Sequence, residues 1–332
     1  NSKVTVTSST FTNNTASSGG AIYTYSSSVD VSGSTFTNNR ASNSGGAIYT
    51  YNGSSVNVSD SIFKDNSAIT NGASIYATGV LNIEDSTFNS PNVNGTAIIY
   101  HTSNSNINLT NNTIQSNLLA IYTNGKIVSP TNLTFQNITV KKCDNATLTA
   151  TLTDDKGNLI GSNTPVKGKV NDTDVDLVFN MTSKKFAGIC NQTTAKGLYI
   201  ITGNYSNAIN CNVTNGTLTV NGVPIDSLEF DIASKVYGNF SGNITILPVN
   251  VSGNVTIKVD GVKYTQVGLV NGTANWLLTN VTIGAHNITF EYSGDDTYNA
   301  TTNSTIVDIT KADIAPDDIK VNVTNPTYGT TT

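Results

Sequence analysis

Two aspartates, Asp60 and Asp85, stand 25 residues apart at matching places in a repeated stretch, with Glu84 and Asp65 close by. Paired carboxylates are what glycoside hydrolysis needs, one as acid and one as base or nucleophile. The matching places elsewhere in the repeat hold Ser8, Gly33 and Asn111, and Arg40 is the only arginine. That pattern reads as solvent-facing loop carboxylates, and no catalytic residue is expected. The two histidines, His101 and His286, lie in different regions and have no partner spacing for a metal or a triad. The acidic turn Ser293 to Asp296 could offer oxygens to Ca²⁺, yet a lone acidic turn is ordinarily solvated, so neither a metal nor a cofactor is expected. What remains is aromatic. Tyr23, Tyr49, Tyr76, Tyr100 and Tyr122 recur at regular spacing, and a row of tyrosines can stack on sugar rings or anchor a protein partner. It can equally pack on itself and stiffen a face.

The element that must carry those tyrosines is a repeat. "SGGAIYTY" occurs at Ser18 to Tyr25 and again at Ser44 to Tyr51. The tyrosine is preceded each time by isoleucine: Ile22, Ile48, Ile75, Ile99 and Ile121. The residues that open the motif decay from Gly19-Gly20 and Gly45-Gly46 to Gly72-Ala73, Thr96-Ala97 and Leu118-Leu119. Upstream lies Phe11-x-x-Asn14, repeated at Phe36 and Phe63 and degraded at Phe88-x-x-Pro91 and Ile114-x-x-Asn117. An apolar pair, Val4/Val6, recurs as Val29/Val31, Val56/Val58, Leu81/Ile83 and Ile107/Leu109.

Three short strand-like pieces per 22 to 27 residues suit one coil of a three-sided parallel β-solenoid, whose coils bury their apolar residues only by stacking. Coils ~4.8 Å apart make five of them a rod of about 25 Å. Phenylalanine should enter the core at a corner, and the asparagine should turn the chain and bond its counterpart in the next coil. If Ile22 points inward, strand alternation sends Gly20 and Thr24 in, and Ala21, Tyr23 and Tyr25 out.

The tandem GGAI and FxxN motifs resemble the repeat of chlamydial polymorphic outer membrane proteins and of the adhesin-like surface proteins of methanogenic archaea. The resemblance covers residues 1–128 and fades through the fourth and fifth coils. It implies a right-handed parallel β-helix on a cell surface, with a role in adhesion.

From residue 129 the rhythm changes to alternating strands at sandwich spacing. Residues 129–222 and 223–311 read as two immunoglobulin-like modules. Tyr237-Gly238 and Tyr328-Gly329 are 91 residues apart, so 312–332 reads as the start of a third module or a linking strand, able to complete a neighbour by strand addition. "FEYSGDDTYNATTNST" resembles the closing strands of bacterial and archaeal immunoglobulin-like stalk repeats, which implies a spacer. Trp276 and Phe290 read as sandwich core. The expected fold is therefore all-β, a β-helix followed by tandem immunoglobulin-like sandwiches.

The formal net charge is −5 without a basic run, which argues against nucleic acid and acidic membranes as partners. The chain opens at Asn1 without methionine, leader or an 18-residue apolar stretch. The expectation is a processed chain or fragment, anchored elsewhere and not inserted in a membrane through this segment. Twenty-five of its 47 asparagines begin N-x-Ser/Thr sequons, 19 of them after residue 129, which points outside the cell. Candidate acceptors are Asn132, Asn137, Asn145, Asn171, Asn180, Asn204, Asn239, Asn243, Asn254, Asn280, Asn287 and Asn299. In that setting the three cysteines suggest one disulfide. Strand assignment puts Cys143 and Cys190 at one pole of the first sandwich and favours that pair, with Cys190–Cys211 next.

The leading reading is a non-enzymatic extracellular surface adhesin whose partner is a glycan or protein of another cell. The alternative is a structural protein that assembles with copies of itself into a filament or sheath. A polysaccharide lyase or hydrolase on a β-helix ranks third.

Overall fold

The computed structural model describes residues 2–313 and 320; the expected third module at 312–332 falls almost wholly outside them. Every element among the described residues is a β-strand. They form two compact units that divide between Asn221 and Gly222.

The first unit opens with a right-handed parallel β-helix. Its first face stacks Lys3–Thr7, Ser28–Ser32, Val56–Ser59, Leu81–Glu84 and Asn106–Thr110 in register, so Val29, Val56, Leu81 and Ile107 form one buried column. The second face stacks Thr10–Thr12, Thr35–Thr37, Ile62–Lys64, Thr87–Ser90 and Thr113–Ser116. Phe11, Phe36, Phe63 and Phe88 lie ring on ring there, centroids 4.7 to 4.9 Å apart. Each fully buried ring contributes about 1.5–3 kcal/mol of apolar transfer. The third face stacks Ile22–Tyr25, Ile48–Tyr51, Ile75–Ala77, Ala97–His101 and Leu119–Thr123. A short ladder of Thr15–Ala16, Arg40–Ala41 and Ser67–Ala68 fills the remaining side.

Polar residues hold the corners. The Asn66 side chain accepts from the Asn39 backbone N–H and Nδ2, each at 3.0 Å, and donates to the Phe36 carbonyl at 2.9 Å. Asn39 does the same for Asn14 and Phe11. At another corner a hydroxyl column runs coil to coil: the Ser34, Ser61 and Ser86 Oγ atoms each accept the backbone N–H of the coil before. No polar atom in these turns can be left unpaired cheaply.

The double glycine has two separate causes. Gly19, Gly45 and Gly72 sit at φ +63 to +67°, where a side chain is disfavoured. Gly20 and Gly46 pack against neighbouring backbone; a Cβ on Gly46 would lie 2.0 Å from the Ala73 oxygen. This tight turn also corrects the expected alternation. Ala21 is half-buried, and its counterparts Ala47, Ser74 and Ile98 are fully buried instead of facing out.

The last coil is closed by the first sandwich. Strand Lys126–Phe135 begins on the first face, pairing Ile127 with Ile107, and continues antiparallel to Ala146–Thr153. The residue 128/129 boundary thus falls inside one strand. From within the sandwich, Leu159–Gly161 returns to lie parallel to Leu119–Thr123, and Ile160 continues the isoleucine column beyond Ile121. Strand Thr173–Asn180 crosses between sheets, pairing first with Val166–Val170 and then with Lys185–Cys190.

The second unit is an immunoglobulin-like sandwich. One sheet contains Ser227–Phe230, Ser234–Val236, Asn239–Leu247 and Thr273–Leu278; the other contains Asn254–Val259, Val262–Gly268, Gly284–Tyr292 and Thr301–Ile309. Trp276 and Phe290 are buried between them, with Trp276 edge-on to Phe240 at 5.0 Å and to Phe290 at 5.5 Å.

Candidate functional site

On the third face the buried Ile22, Ile48, Ile75, Ile99 and Ile121 force their neighbours Tyr23, Tyr49, Tyr76, Tyr100 and Tyr122 to the other side of the sheet. The five rings stack in one unbroken column, with centroids 5.3, 4.8, 5.8 and 4.7 Å apart and planes within 13° of parallel. Tyr25 and Tyr51 add a second, tilted pair at 6.0 Å, and Tyr51 also meets Tyr49 at 6.3 Å.

Exposure falls along the column. Tyr23, Tyr25 and Tyr51 are 55%, 58% and 46% exposed; Tyr49, Tyr76 and Tyr100 are half-buried; Tyr122 is 6% exposed. The buried end is covered by the first sandwich. Tyr122 is in register with Gly161, and a Cβ there would lie 2.4 Å from the Phe179 ring. Burial, helped by the neighbouring Tyr100 and Tyr205, pushes the Tyr122 phenol up to about 12. Burial raises Tyr49 and Tyr100 as well. At neutral pH these phenols are uncharged, and because the faces stack on one another the exposed part of the column offers ring edges and O–H groups.

Asp60 and Asp85 are explained by backbone. Ser8, Gly33, Asp60, Asp85 and Asn111 all adopt φ between 48 and 57°, the left-handed region that Gly, Asn and Asp tolerate best. Asp85 accepts a hydrogen bond from Asn111 of the next coil. Asp65 holds a matching position at another corner, with Asn13 and Asn38.

His101 is buried in the solenoid, its Nε2 2.8 Å from the Gly79 carbonyl and its Nδ1 3.0 Å from the Thr123 hydroxyl. Burial lowers its pKa, and the Gly79 carbonyl only partly opposes that. His286, in the other unit, has Nδ1 2.7 Å from the Asp260 carboxylate and Nε2 2.9 Å from the Thr282 carbonyl. Both ring nitrogens face acceptors, and the Asp260 bond raises its pKa. Asp295 of the acidic turn accepts the backbone N–H of Ser252, Thr297 and Tyr298 and the Ser252 hydroxyl, at 2.7 to 3.0 Å. Burial acts to raise this carboxyl, yet the four donors outweigh it and hold it at about 2. Among the described residues no group of three or more His, Cys, Asp or Glu is placed to hold a metal.

The three cysteines are free thiols, so the expected Cys143–Cys190 bond is not formed. Cys190 pairs in register with Ala146, while the Cys143 N–H bonds to the Thr193 carbonyl. Cys143 sits in a turn at φ 69°, before the strand that places Ala146 opposite Cys190 begins. Cys211 lies beside Thr131, past the opposite end of strand Ala146–Thr153 from Cys190. Of the twelve candidate sequon asparagines, Asn132 and Asn299 are half-buried and the rest are exposed. None lies on the tyrosine-bearing strands.

Sequence reasoning missed a second outward-facing row, on the first face. Asp30, Asn57, Asn82 and Asn108 stand in register between the buried Val29, Val56, Leu81, Ile107 column and the Val31, Val58, Ile83, Leu109 column. The aligned sequence carried the signal as the residue between each apolar pair. No helix of the described residues is long and apolar enough to cross a membrane.

Residues 1–114, about a third of the chain, match the family model for the right-handed β-helix region. No curated protein matches. Among solved structures, the chain is similar to the adhesin InvE of Yersinia pseudotuberculosis, at 16% identity and a TM-score of 0.31, over 53% of this chain and 58% of that one. It is also similar to the Escherichia coli adhesin FdeC, at 11% identity and a TM-score of 0.27, covering 61% of this chain and 68% of that one. A third likeness is to the titin I-band fragment I67–I69, at 8% identity and a TM-score of 0.25, covering 55% of this chain and 67% of that one.

Proposed function

We propose that the chain is part of a non-enzymatic, extracellular surface adhesin. Its solenoid presents the tyrosine column to a glycan or protein of another cell, and its sandwiches act as spacers. The observation that carries this reading is the stacked column itself, open to solvent at Tyr23 and flanked there by the exposed Tyr25 and Tyr51. Tyrosine concentrates binding energy because its ring is rigid and amphipathic. Here the rings are already ordered by stacking, so little conformational entropy remains to be lost on binding. The sequons support an extracellular setting, and none of the twelve candidates lies on the tyrosine-bearing strands.

The test is an array of glycans and extracellular matrix proteins probed with the chain and with Tyr49→Ala and Tyr76→Ala. Both variants should lose at least tenfold in signal on the same spots. Unchanged binding in both would remove the tyrosine face from the account.

A further inference from the structure

We propose that the outward side of the first face is a second binding site, a subsite for a linear neutral polysaccharide laid along the solenoid axis. A trough of about 440 Å³ runs there across four successive coils, lined by Asp30, Asn57, Asn82 and Asn108 together with Ser59 and Glu84. It lies on a different sheet face from the tyrosines and does not require them to bind anything.

The side chains are a poor choice for a sheet and a good one for sugar. Asn and Asp are depleted in strands, where Thr and Val pack better, yet the column holds four of them in consecutive coils. They are ordered in advance: Asn82 Nδ2 donates to Asn57 Oδ1, and Asn57 Nδ2 donates to Asp30 Oδ1, each at 2.7 Å. An amide has two donor hydrogens and two acceptor lone pairs. The ladder therefore consumes about half the capacity of Asn57 and leaves a donor and an acceptor available. Fixed, paired donors and acceptors are what vicinal hydroxyls need, and the ladder has already met the cost of fixing these rotamers.

The lining also excludes other ligands. It is polar, which disfavours apolar compounds. Its charged members are the Asp30 and Glu84 carboxylates, which disfavours anions. Lys3 sits at one end, already paired with Asp30. The repeat distance points to a chain: the amides recur with the coils, ~4.8 Å apart, so a polymer whose units are about that long would meet the same groups at each step.

The experiment uses protein from a bacterial host, so that the sequons at Asn57 and Asn108 stay bare. Linear neutral hexasaccharides (cello-, xylo-, manno- and chitohexaose) are titrated by calorimetry into residues 1–332 and into Asn57→Thr/Asn82→Thr. Threonine suits the strand and removes the amides. At least one hexasaccharide should bind, and the threonine variant should lose affinity tenfold or more with an unchanged melting temperature. Absence of binding by all four sugars would overturn the proposal. Equal affinity in the threonine variant would overturn it too, and a lowered melting temperature without any sugar binding would make the amides purely structural.

Discussion

At the scale of single residues, position in the coil decides what each polar group is for. Asp60 and Asp85 invite a catalytic reading, but they share their left-handed backbone with Ser8, Gly33 and Asn111, and turn chemistry accounts for them. Asp295 is likewise committed to a turn by four donors. His286 has a measurable consequence. Its pKa is raised by Asp260 in the folded state, so its contribution is complete below the unfolded value of about 6.5. That contribution is lost as pH rises through the higher folded value. The second unit should therefore melt at a lower temperature at pH 8.5 than at pH 6, and Asp260→Asn should flatten that dependence. Scanning calorimetry at the two pH values checks it.

At the scale of elements, the columns were readable where the repeat spacing was regular. The Ile and Phe columns and the Asn39–Asn66 bond follow from motifs that recur every 22 to 27 residues, and the structure places them as stacked ladders. The serine column was not readable, because serine is too frequent in this chain for three of them to stand out. The cysteine pairing was not readable for a related reason: strand order places Cys143 and Cys190 at one end of a sheet, but it does not reveal that Cys143 falls in a turn ahead of the strand while Cys190 faces Ala146. The second glycine of the motif is an element-scale constraint. A Cβ at Gly46 would meet backbone atoms at 2.0 to 2.7 Å, which cannot move aside as a side-chain tip can. Gly46→Ala should cost about 1–3 kcal/mol, lowering the melting temperature of the first unit and leaving the second unit's transition in place.

At the scale of the whole molecule, the solenoid does not end where its repeat ends. Ile160 lies 39 residues after Ile121 and is followed by glycine where the repeat has tyrosine, so no spacing signal announced that the sandwich would supply the closing strand. The reason is physical: the last coil would otherwise expose its core and unpaired strand edges. Residues 1–221 should accordingly fold alone with the first unit's melting temperature, whereas residues 1–128 should be unfolded or aggregated. Circular dichroism and size-exclusion chromatography of the two fragments separate these outcomes.

The central claim concerns the tyrosines, and its rival is that they merely stiffen a sheet. Tyr23 and Tyr51 discriminate best, because both are about half exposed and lie at the open part of the face, so their removal takes away no buried core. The decisive measurement is the equilibrium affinity of the tightest array ligand for the chain and for Tyr23→Ser/Tyr51→Ser, with melting temperatures taken alongside. The account predicts at least a tenfold loss of affinity with a melting temperature nearly unchanged. Equal affinity in the two proteins, or no array ligand at all, would contradict it.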